Sequence, residues 1–194
     1  MNKIVISALF AAVAMAPSAA NAQAIPGAVI AVVDLEKVQS QCTACQSAAA
    51  TLRSQITSLQ NREKALAAPL ETEQKSIQAA IDTLQGKEPD AALQARVKTF
   101  QAKQQQGAQE LQRQQQQIQR NQAYISQQIQ TKLGPIYQQV MQKRGANLMV
   151  EMGATLASGT ALDVTNDVLA ALNTQLPSVQ TTAPAQAQQQ PQGR

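Results

Sequence analysis

Cys42-Thr43-Ala44-Cys45 is the one reactive-looking spacing in this chain. Two thiols three residues apart form a local disulfide in an oxidising compartment. The same spacing serves redox exchange inside a βαβ unit, and no such pattern surrounds it here. A zinc site needs more ligands, and the chain has no His and no third Cys, which leaves only carboxylates or another subunit. A structural disulfide ranks first, a pair of free thiols second, and redox or metal chemistry last. Asp34 and Glu36 come nearest to a carboxylate pair, but a helix cap explains them better. No glycine-rich phosphate loop, dinucleotide fingerprint or nucleophile elbow occurs. Without His, the commonest general base is also missing. No catalytic residue, metal or cofactor is assigned, and the chain does not read as an enzyme.

The elements around these residues follow from an unusual composition. Ala and Gln supply 35 residues each of 194, while there are two Phe, two Tyr and no Trp. Both favoured types are good helix formers. Leu, Ile, Val and Phe number 41, little for a conventional core. The opening segment reads as targeting. Lys3, the uncharged run Ile4–Ala16 and the small residues Ala20 and Ala22 fit a secretory signal peptide over 1–22. Its 13-residue apolar run is short for a membrane span, which needs roughly 17–25 residues. Cleavage after Ala22 leaves Gln23–Arg194 outside the cytosol.

From Ser47 onward Leu52, Ile56, Leu59, Leu66, Leu70, Ile77, Ala80 and Leu84 recur at heptad steps, with Glu63 and Glu73 in two skipped sites. Gly86-Lys87-Glu88-Pro89-Asp90 interrupts the stripe. It resumes at Leu93, Val97, Phe100, Leu111, Ile118 and Ile125, and continues through Ile129, Ile136 and Val140 after one phase shift. Pairing residues whose numbers total 177 aligns apolar layers with apolar layers. It places Leu66 with Leu111, Leu59 with Ile118 and Leu52 with Ile125, Glu73 opposite Gln104 and Glu63 opposite Gln114. The expectation is an antiparallel helical hairpin over 47–145, tip at 86–90, with arms of about 38 residues, on the order of 55 Å long. Pro69 should kink the first arm or cost about 3 kcal/mol. The Gln tract is foremost a solvated helix face; its functional reading is a bendable arm that adapts to variable cargo.

The ends differ. Val29–Val33 reads as a strand, followed by a short helix capped by Asp34. Asn147–Met152 alternates as a returning strand, Thr155 and Leu156 read as another, and Asp163 or Thr165 caps a last helix carrying Val168, Leu169 and Leu172. Residues 177–194 are mostly Pro, Gln, Thr and Ala without apolar periodicity and read as a disordered tail. The segments 23–46 and 146–176 together form a small β-rich body, marginal alone and so expected to oligomerise. The fold class is α+β, mostly α, with the hairpin inserted in that body.

Charge is uneven. Ala91–Gly145 carries eight basic residues and one acidic, net +7, whereas Ser47–Asp90 is net −1. Such a stretch attracts anionic partners. Nucleic acid is disfavoured by the export signal and by the shortage of aromatics to stack on bases.

The start Ile30-Ala31-Val32-Val33-Asp34-Leu35, the Gln/Lys/Arg-rich hairpin, the returning Asn147-Leu148-Met149-Val150 and the ending Asp163-Val164-Thr165-Asn166-Asp167-Val168-Leu169 together resemble the Skp/OmpH family of periplasmic chaperones, over roughly residues 28–173. The resemblance implies a jellyfish-like homotrimer, with helical tentacles around a cavity. It implies an ATP-independent holdase that keeps unfolded outer-membrane β-barrel proteins from aggregating in the periplasm. Lipopolysaccharide or an anionic membrane surface is a further implied partner, without mapped residues. In such a cavity Arg96, Lys98, Lys103, Arg113 and Arg120 are the candidate client-binding residues, because dispersed positive charge draws a net acidic client. The alternative is a structural or adaptor periplasmic coiled coil, ranked lower because such proteins flank their hairpin with larger β-rich domains.

Overall fold

The computed structural model describes residues 26–184. The expected signal segment 1–22 and positions 185–194 of the expected tail lie outside the described residues. The chain is mostly helical. Strand β1 (Ile30–Val33) leads into helix α1 (Leu35–Gln41), then the long helices α2 (Thr43–Asp82) and α3 (Ala91–Arg144), strand β2 (Leu148–Glu151) and helix α4 (Thr165–Gln175), with two 3₁₀ turns before α4.

Local chemistry sets these boundaries. Asp34 Oδ1 accepts the Lys37 amide at 2.8 Å and caps α1, as its sequence position implies. Asp90 does the same for α3, accepting from the Leu93 amide at 2.8 Å. α3 ends where Gly145 takes φ +66°, a left-handed conformation that costs glycine little. That turn lets the Ala146 amide donate to the Met141 carbonyl at 2.9 Å. Pro69 and Pro135 both lie inside continuous helices. Each lacks the N–H that would bond back to the residue four earlier.

β1 and β2 pair in parallel, Ile30 with Leu148 through Val33 with Glu151. A parallel pair requires a long crossover, and the whole hairpin supplies it. On the other edge of β1, Asp163 makes a parallel bridge to Val32, and the Val164 amide donates to the Val32 carbonyl at 2.9 Å. β1 is therefore the centre of the body. Asn147 ties its start, accepting the Val29 amide on Oδ1 at 2.7 Å and donating from Nδ2 to the Gly27 carbonyl at 2.9 Å.

The core gathers Ala31 and Val33 of β1, Val38 of α1, Cys42, and Val168 and Leu172 of α4 around Leu133, Ile136 and Val140 of α3. The arms are thus unequal, 40 residues against 54, where about 38 each was expected. The surplus of α3 packs into the body, which is how so few apolar residues at the chain ends find enough partners.

Three expectations are corrected. Thr155 and Leu156 form no strand: the Thr155 amide and hydroxyl both donate to the Met152 carbonyl, at 3.0 and 2.8 Å, closing a 3₁₀ turn over Met152–Ala154. Neither Asp163 nor Thr165 serves as the residue capping α4, whose N-cap is Val164 with no side-chain cap. Asp163 Oδ1 instead accepts the Thr165 amide at 2.8 Å, and the buried Thr165 hydroxyl accepts the Asp34 amide at 2.9 Å, stitching α4 to β1. Finally, residues 177–184 do not form a free tail. They lie against the hairpin, because its Gln and Asn side chains supply the hydrogen bonds that an irregular segment lacks within itself.

Candidate functional site

The hairpin projects from the body and carries most of the candidate residues. Near its base the expected register holds: Leu52 and Ile125 line one groove between the arms. From Leu59 outward it shifts by about a helical turn. Leu59 and Glu63 share a groove with Ala108, Leu111 and Gln112, and Leu66 faces Gly107 rather than Leu111. The physical reason is shape and charge. Gly107 is buried and leaves a hole that a leucine knob fills, and the shifted register brings opposite charges together.

Two cross-arm ion pairs follow. Arg62 grips Glu110 in a fork, with Nε–Oε1 at 2.7 Å and Nη2–Oε2 at 3.0 Å. Arg96 grips Glu73 in the same way, at 2.6 and 3.2 Å, and adds the Ser76 hydroxyl at 2.8 Å. Forked guanidinium–carboxylate geometry fixes orientation as well as charge. Each arginine holds its carboxyl below the usual carboxylate range, chiefly through the hydrogen bond. Glu73, expected opposite Gln104, is thus taken by Arg96. Between the two pairs, Leu66, Pro69 and Gly107 border an open cleft of about 510 Å³ with Lys103 on its wall.

The five basic candidates consequently divide. Lys98, Lys103 and Arg113 are exposed on α3 and face solvent. Arg96 is half-buried and engaged by Glu73. Arg120 is half-buried, bonded through Nη2 to Gln117, with its Nε buried and unpaired. No cluster of three or more His, Cys, Asp or Glu with metal-binding proximity occurs among the described residues.

Cys42 and Cys45 sit at the junction of α1 and α2, their sulfurs within bonding reach and their Cα atoms 5.1 Å apart. Cys42 is fully buried, and its Sγ accepts the Cys45 amide at 3.2 Å, capping α2. The Asn173 side chain accepts the neighbouring Thr43 amide at 3.0 Å and ties the junction to α4.

A further group of residues, absent from the sequence reading, lines the same end of the hairpin. Gln55, Gln117, Asn121, Tyr124 and Gln128 hold Gln180–Ala183 by hydrogen bonds. For Asn121 and Gln128 the sequence signal is their seven-residue interval, hidden in a chain where Gln is everywhere; Gln55, Gln117 and Tyr124 carry no such mark.

The body presents a different surface. Val29, Ile30 and Leu148, at the open end of the strand pair, are exposed, as are Leu156 and Leu162 in the following turns. These are large apolar side chains around a two-stranded sheet, which is marginal unless something covers it.

A small strand-centred body raising a long two-helix arm defines a class of proteins by architecture. Within that class, the family model for outer membrane protein (OmpH-like) matches residues 29–172, and the chain belongs to that family. The crystal structure of a putative outer membrane chaperone (OmpH-like) from Caulobacter crescentus has the same fold. It superimposes with a TM-score of 0.68 at 20% identity, covering 86% of this chain and 95% of that one. No curated protein sequence matches the chain.

Proposed function

We propose that this protein is an ATP-independent holdase of the periplasm that takes unfolded outer-membrane β-barrel proteins and keeps them from aggregating. The observation that carries the reading is the hairpin itself, in a chain of the OmpH-like family. Its second arm is strongly basic, it exposes Lys98, Lys103 and Arg113, and its contact layers are sparse and interrupted by a cleft. An unfolded outer-membrane strand alternates apolar and polar residues and carries unpaired backbone groups. A long surface with dispersed charge and few fixed apolar contacts suits such a client better than a rigid pocket. The exposed Val29, Ile30 and Leu148 support a homo-oligomer in which the sheets share one body. A trimer, with three hairpins around a cavity, is the form proposed.

The test dilutes a urea-unfolded outer-membrane β-barrel into buffer containing the exported chain and follows aggregation, with light-scattering mass determined on the soluble complex. Suppressed aggregation with one client per trimer is expected. Replacing Lys98, Lys103 and Arg113 together by Gln should weaken capture and reduce its salt dependence. A stable oligomer that leaves aggregation unchanged would favour a structural or adaptor role.

A further inference from the structure

Residues 177–184 contain no helix or strand, yet the arms hold them through main-chain hydrogen bonds. Gln128 bonds both ways to Gln180, donating from Nε2 to its carbonyl at 2.9 Å and accepting its amide on Oε1 at 3.0 Å. One carboxamide thus pairs with one residue as a neighbouring strand would, since it carries the same donor and acceptor as a peptide unit. Asn121, which is buried, accepts the Ala183 amide at 2.8 Å. Gln55 donates to the Thr181 carbonyl and Gln117 to the Ala183 carbonyl, each at 3.3 Å. Of these bonds only that from Tyr124 Oη to Gln180 Oε1, at 2.9 Å, involves a side chain of the segment, and Val179 packs against the core of the body. Asn121 is itself positioned, donating to Gln55 at 2.9 Å and accepting from Gln117 at 2.8 Å.

The spacing explains how this works. Asn121 and Gln128 are seven residues apart on a helix, about 10.5 Å at 1.5 Å per residue. The amides they accept, those of Gln180 and Ala183, are three residues apart, about 10 Å of extended chain at 3.3–3.6 Å per residue. Amide side chains at heptad spacing therefore meet every third residue of an extended polypeptide, whatever its side chains. Gln114 repeats the interval one step nearer the tip.

We infer that the face formed by Gln55, Gln117, Asn121, Tyr124 and Gln128 is a binding site for extended polypeptide main chain, and that the protein's own residues Gln180–Ala183 fill it as a displaceable strap. The inference deepens the holding function proposed above and rests on it only for the identity of the incoming chain, an unfolded polypeptide. A site occupied in cis lowers the apparent affinity for a competitor by the fraction of time it stands open. The strap would thus keep the base of the hairpin from binding weak competitors, and yield to a long unfolded chain that also engages the arms.

The probe is a synthetic peptide with the sequence of residues 177–184, blocked at both ends and labelled, titrated into the full chain by fluorescence anisotropy. In a Gln180→Pro, Ala183→Pro variant the strap loses both amide donors while the arms stay intact. The peptide should bind that variant about tenfold more tightly than the unaltered chain, as for a site open about a tenth of the time. A peptide N-methylated at the two corresponding amides should not bind. Adding Gln128→Met, which preserves helix propensity and shape but removes both bonds, should weaken binding at least about tenfold. Amide hydrogen exchange on the unaltered chain gives an independent reading, with Gln180 and Ala183 protected. Equal or absent binding to both chains, or exchange at these amides as fast as in a free peptide, would overturn the inference. Aggregation suppression measured on the same proteins reports the holding function separately, so the two can fail independently.

Discussion

Ile136→Ala probes the unequal arms most directly. Ile136 lies on α3, within what the heptad pattern reads as hairpin, yet it is fully buried in the core of the body with Leu133 and Val140. Truncating a fully buried isoleucine removes its transfer energy and leaves a cavity, about 2–5 kcal/mol in well-packed cores. This core has almost no aromatics to slide into the gap, so a loss of about 3 kcal/mol or more is expected. For a chain of this size, each kcal/mol moves Tm by about 2–4 °C, giving a fall of about 6–12 °C. The comparison is Ile81→Ala, at the far end of α2, where the side chain is 40% exposed. That change should cost less than about 1 kcal/mol. Thermal and urea unfolding of the chain from Gln23 to Arg194, followed by circular dichroism at two protein concentrations, measures both and separates subunit dissociation from unfolding. If Ile136→Ala lowers Tm no more than Ile81→Ala, the lower end of α3 is not part of the core and the reasoning fails.

The other predictions concern the arms and the junctions. Gly107→Ala should stabilise the protein by about 0.5–1 kcal/mol, because a methyl there would sit 3.7 Å from Leu66 Cδ1, in ordinary contact, and alanine favours the helix; a lower Tm would show that the arms have no room. Thr165→Val should cost about 1–3 kcal/mol by leaving the Asp34 amide without its acceptor, read as a shift of the urea midpoint at constant slope. Asp167 is held below its ordinary value of 3.8, first by its hydrogen bond to Arg144 and also by Lys143. Its contribution is therefore present above pH 3.8 and lost as pH falls through the lower folded value, and Asp167→Asn should flatten that acid limb of the stability curve. Thiol counting on the native protein, purified without reductant, should find Cys42 and Cys45 both unreactive; two free thiols would refute the bridge.

Most element types were readable because they rested on a local signal; the strand expected at Thr155 and Leu156 failed because the Thr155 hydroxyl turns back to the Met152 carbonyl. The heptad stripe marked both long helices, Asp34 marked a helix start, and the β-branched run at Val29–Val33 marked a strand. What escaped the sequence depended on partners far away in the chain. The register of the outer hairpin turned on Gly107 accepting Leu66 and on Glu73 finding Arg96, and apolar matching alone favours the wrong layer. Thr165 read as a cap because its hydroxyl suits that task, but the nearest buried donor needing an acceptor was Asp34, 131 residues earlier. Of the basic candidates, composition could not separate Arg96, committed to a carboxylate, from the exposed Lys98. Residues 178–184 lack any apolar period, and nothing in them announces that the arms will hold Gln180–Ala183.

The central position of β1 has a consequence for the order of folding. Its start is tied to Asn147, 118 residues later, and its other edge waits for Asp163. A chain emerging from its N-terminus therefore presents its central strand long before either neighbour exists. Closing so wide a loop directly is slow, since the entropy of bringing distant ends together comes before any contact rewards it. The hairpin shortens the problem. Contacts next to the tip join residues close in sequence, and zippering from there toward the base carries Leu148 to Ile30 without a search through open coil. The arm that reaches out from the finished protein is, during its making, the guide that brings the body together.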